Sequence, residues 1–95
     1  MADLGDKTLM LLRNHGTLAV GQTAAGCWAG MYYLERACMQ QALALSAGRS
    51  GVLLATAQAI SAVKAQAARG MEASGGLAWP GALRQLDRKS PGYAA

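Results

Sequence analysis

The apolar positions change their spacing along the chain, and the changes predict its elements. Residues 8–13, Thr-Leu-Met-Leu-Leu-Arg, set four apolar side chains in a row, the pattern of a short strand buried on both faces. Asn14-His15-Gly16 is a turn signal, and Thr17-Leu18-Ala19-Val20 reads as a second strand closed by Gly21. Two such runs around a glycine-bearing turn predict a β-hairpin. Helical spacing takes over after Thr23, a suitable N-cap. Cys27, Met31, Leu34, Cys38 and Leu45 recur on one face of a helix predicted from Ala24 to about Gly48, and Trp28, Tyr32 and Met39 widen that face.

Residues 46–51 form a polar, glycine-bearing break. A second helix is predicted from about Val52 to Arg69, with Leu53, Ala57, Ile60, Val63 and Ala67 on one side and Gly70 placed to end it. Residues 71–76, with Ser74-Gly75-Gly76, read as a loop. Pro80 opens a third, short helix carrying Leu83 and Leu86, which stops before Pro91. Residues 92–95 read as a tail. A strand apolar on both faces needs neighbours and covering layers, yet a lone hairpin is marginal. The N-terminal segment therefore looks like the end of a larger sheet.

Composition sharpens this picture. The chain has 95 residues, 53% of them hydrophobic and 15% charged, which excludes disorder and allows one small domain. It has 21 alanines and no phenylalanine. Alanine favours helix but contributes little burial, so the chain should be helical with a weak core of its own. The net charge is +4, but the nine basic residues are scattered and only Arg88 and Lys89 are adjacent. That is solvated surface charge, without the basic stripe or stacking motif of a nucleic-acid binder.

Cys27 and Cys38 would lie about 16 Å apart along one helix, too far for a disulfide. Free thiols, no signal peptide and an uncharged stretch 14–34 broken by polar residues and glycines point to a cytoplasmic chain that neither crosses a membrane nor binds nucleic acid.

His15 is the one histidine, and its turn suits either a locally bonded side chain or a presented ligand. No carboxylate or thiol stands at ligand spacing, and neither a nucleophile triad nor a phosphate loop is present. No catalytic or cofactor-binding residue is assigned. Tyr32-Tyr33-Leu34-Glu35-Arg36, read by spacing, is helix packing with a surface ion pair.

Leu11-Leu12-Arg13-Asn14-His15-Gly16-Thr17-Leu18-Ala19-Val20-Gly21 resembles the segment of class II aldolase/adducin proteins that supplies a metal-binding histidine. Met31-Tyr32-Tyr33-Leu34-Glu35-Arg36-Ala37-Cys38 resembles the helix that follows it. Trp79-Pro80-Gly81-Ala82-Leu83-Arg84 and Leu86-Asp87-Arg88-Lys89-Ser90-Pro91-Gly92-Tyr93 resemble the closing helix and tail, with Tyr93 a loose match.

The resemblance implies an α/β fold: residues 1–95 would be the C-terminal part of an α/β/α domain, a short hairpin followed by two longer helices and a short C-terminal helix. It implies an oligomeric, metal-dependent aldehyde-lyase that cleaves a small hydroxy-carbonyl substrate. There Zn2+ or a similar ion polarises the carbonyl. His15 would be the third ligand. The other two, a His-x-His pair, and an acid/base glutamate precede this segment in the family, so this chain alone is expected to be inactive. The adducin branch of the family implies an alternative, a non-catalytic interaction or oligomerisation module.

Overall fold

The computed structural model describes residues 3–94. Strand β1 (Leu9–Leu12) pairs antiparallel with β2 (Gly16–Ala19), with Leu9 opposite Ala19 and Leu12 opposite Gly16. The three residues between them turn through Asn14 at φ 59°, a left-handed conformation that asparagine tolerates. The His15 amide closes the turn by donating to the Leu12 carbonyl at 3.2 Å.

Helix α1 (Ala24–Leu45) begins where the Thr23 hydroxyl accepts from the Gly26 amide at 2.9 Å. It ends at Ser46, and Gly48 at φ 86° turns the chain away. A single 3-10 turn, Arg49–Gly51, and an extended stretch lead to α2 (Ala57–Lys89), capped by Thr56. Its 33 residues correspond to about 50 Å of helix.

The hairpin and α1 appear as the sequence predicts. The second half differs. The helix expected from Val52 starts at Ala57, and it neither stops at Gly70 nor loops through 71–76. The short C-terminal helix expected from Pro80 is the last part of the same continuous α2. The cause is tertiary packing. Gly75 is buried against the first turn of α1, and a Cβ there would overlap the Ala25 carbonyl. Close approach of the two helices sets this glycine's role, and it outweighs the roughly 1 kcal/mol of helix propensity that a glycine forfeits. Pro80 takes one amide from the helix ladder, and the carbonyl left over belongs to exposed Gly76, where water can serve it.

The core is slight. Ala29, at 3% exposure, is the buried apolar residue, joined by Gly26, Gly30 and Gly75. The predicted α1 face of Cys27, Met31, Leu34 and Cys38 is half-buried, while Leu45 is exposed. In β1 Leu9, Met10 and Leu12 are half-buried and Leu11 is 61% exposed. The face expected to bury Leu53, Ile60 and Val63 is open: Leu53 is 98% exposed and Ile60 and Val63 are exposed as well. The radius of gyration is 16.1 Å, against about 12–13 Å for a compact domain of this size. The accessible surface is 7806 Å², against about 5,200 Å² for a folded monomer of this mass.

Candidate functional site

His15 stands at the tip of the hairpin, exposed to solvent. Its Nδ1 lies 3.4 Å from the carbonyl oxygen of Arg13. An N–H at Nδ1 pointing to that carbonyl leaves Nε2 with a free lone pair facing outward, the tautomer in which histidine binds a metal. The turn geometry therefore suits presentation. The remaining donors do not gather around it. Among the described residues, no group of three His, Cys, Asp or Glu side chains can hold a metal ion. The residues of this chain by themselves do not fit a closed site.

Cys27 and Cys38 are free, half-buried thiols on α1. Glu35 does not form the expected surface ion pair with Arg36. It accepts instead from the Thr17 hydroxyl at 2.8 Å and so ties α1 to β2. Arg36 lies over the Tyr32 ring, 5.3 Å from its centre. Tyr32 also adjoins Trp28, whose ring meets Trp79 of α2 edge-on at 5.9 Å. This aromatic cluster fastens α1 to the second half of α2. Beyond it the helices diverge around an open groove of about 1010 Å³, lined by Tyr32, Tyr33 and Arg36 on one side and by Val63, Met71 and Ser74 on the other. His15 is not part of this groove. Tyr93 follows α2 and faces Asp87, whose carboxylate raises the phenol above its ordinary value.

The sequence reading misses Glu72. Its carboxylate accepts from the Gln22 amide at 2.9 Å and from the Thr23 hydroxyl at 2.6 Å. These bonds, that from Thr23 first, hold its pKa below the ordinary glutamate value of 4.5. In sequence Glu72 sits in a stretch with turn composition, and no local pattern links it to residues fifty positions earlier.

Residues 1–42 match the family model of the class II aldolase and adducin N-terminal domain. Over 94 residues, 99% of its length, the chain is 64% identical to a "Putative aldolase class 2 protein" of Caulobacter vibrioides. A protein of similar name from Pseudomonas aeruginosa is 40% identical over 97% of the chain. The chain spans 37% of the length of each of these relatives. No solved structure matches it. By these comparisons the chain is related to class II aldolase and adducin proteins, and its hairpin and two long helices are consistent with part of an α/β aldolase-like domain. No helix among the described residues is long and apolar enough to cross a membrane.

Proposed function

We propose that residues 1–95 form part of a metal-dependent, class II aldolase-type catalytic domain in which His15 contributes one metal ligand. The observation that carries this reading is the exposed His15 at the hairpin tip, with Nδ1 turned to a backbone carbonyl and Nε2 free. The family relationship gives that imidazole its context. In this reading the metal, Zn2+ or a similar divalent ion, supplies Lewis-acid polarisation of a carbonyl. The chain's own part is to hold the imidazole at a turn beside β2, which the Thr17–Glu35 bond ties to α1. The substrate class is a small hydroxy-carbonyl compound, and the reaction is retro-aldol cleavage in the cytoplasm. The remaining ligands and the acid/base carboxylate come from other parts of the domain or from another copy in a homo-oligomer. The chain alone is inactive.

A chimera provides the test. This chain replaces the matched 94 residues of the Caulobacter vibrioides relative, and aldol cleavage is assayed with and without added divalent metal. Metal-dependent cleavage by the chimera, at least a hundredfold weaker after His15→Ala, is expected (ligand loss costs about as much as loss of a strong catalytic group). Full activity in the His15→Ala chimera would overturn the reading, as would turnover by the isolated chain.

A further inference from the structure

Glu72 occupies a cradle that the rest of the sequence is shaped to hold. The Gln22 amide and the Thr23 hydroxyl both donate to it, one to each carboxylate oxygen. Thr23 in turn accepts from the Gly26 amide, so the charge is relayed to the first turn of α1. That turn is the positive end of the helix dipole, which favours an anion. The walls are glycine where they must be. A Cβ at Gly21 or Gly26 would meet the Glu72 carboxylate directly. One turn further along α2, Gly75 lets the two helix backbones touch.

We propose that Glu72 is a protonation-sensitive clamp: its carboxylate, seated among Gly21, Gln22, Thr23 and Gly26, fastens the middle of α2 to the junction between the hairpin and α1, and its protonation releases them. An ionised carboxylate only accepts, which suits a site made of two donors. A protonated carboxyl is a weaker acceptor and gives its own hydrogen to water or to the Thr23 hydroxyl, which then no longer donates to it, so the charge-assisted bonds of the cradle are weakened. The groups bonded to Glu72 are Gln22 and Thr23 from the junction, and Cys27 of α1 lies beside Gly21. No carboxylate, histidine, lysine or arginine from the junction or α1 is bonded to Glu72. On its own helix the nearest charged neighbour is Arg69, one turn earlier, and no charged group is among the causes of the Glu72 shift. The clamp is thus built from hydrogen bonds and the helix end, without an ion pair. It is independent of whether His15 binds a metal.

The folded-state pKa lies below the ordinary value of 4.5, so the clamp contributes fully above that pH and is lost as pH falls through the folded value. The test compares thermal unfolding of the whole chain and of Glu72→Gln from neutral pH down through the carboxylate range. A fall of several degrees in the native chain, mostly absent in Glu72→Gln, is expected. Equal falls in both would overturn the clamp. The carboxyl carbon of Glu72 is also followed by NMR titration in the unsubstituted chain, which decides the matter should the variant not fold. A midpoint below that of an unstructured glutamate peptide is expected, together with a coincident shift of the Gln22 amide. An ordinary midpoint or a silent Gln22 amide would overturn the proposal.

Discussion

Gly75 and its neighbour Gly76 are the same residue, yet an added methyl group should affect them in opposite ways. At Gly75 an added Cβ overlaps the Ala25 carbonyl, so the helices must part. Gly75→Ala is expected to destabilise by about 1–3 kcal/mol. At Gly76 nothing lies within contact distance, and alanine restores helix propensity. Gly76→Ala is expected to stabilise by roughly 0.5–1 kcal/mol. Chemical denaturation of both variants checks the pair, and equal effects would contradict the close helix crossing. Neither role is legible in Ser74-Gly75-Gly76, which has the composition of a loop. His15 is different. Its turn is set by Asn14 and Gly16 on either side, so sequence alone places it at an exposed tip. Whether other ligands meet it depends on chain segments that local spacing does not describe.

At the scale of elements, legibility follows the range of the forces involved. The hairpin and α1 rest on local signals, the Asn14-His15-Gly16 turn and a threonine cap, and both stand where those signals put them. In α2 the local signals for a break at Gly70, a loop at 71–76 and a restart at Pro80 are overridden. Packing of Gly75 on α1, the Trp28–Trp79 contact and the Glu72 clamp all act on that stretch from elsewhere in the chain. The first part of α2 has no such support, and its apolar residues lie open to solvent. It depends more on its own cap. Thr56 accepts from the Ala59 amide at 3.2 Å, and Thr56→Ala is expected to remove about 1 kcal/mol from this segment. Hydrogen exchange should therefore speed up over residues 57–67 and stay unchanged at Gly75 to Leu83. Uniform acceleration along α2 would show instead that the helix opens as one unit.

The molecule as a whole exposes roughly 2,600 Å² more than a compact protein of its mass. That excess is larger than the roughly 800 Å² that one partner contributes to a standard interface. Much of it is apolar: Leu53, Leu54 and Leu77 are almost fully exposed, and Leu11 of β1 is exposed as well. The sequence already carries this conclusion in its orphan strand and alanine-rich helices. In the proposed reading a fuller domain or a second copy would cover the open face of α2 and supply the remaining metal ligands. Metal content per chain in the Caulobacter vibrioides chimera tests this most directly, measured by elemental analysis beside its His15→Ala variant and the isolated chain. About one divalent ion per chimeric chain is expected. It should be lost on His15→Ala, and the isolated chain should hold no tightly bound ion. An ion retained after His15→Ala, or held tightly by the isolated chain, would contradict the assignment of His15 as one ligand of a site completed from elsewhere.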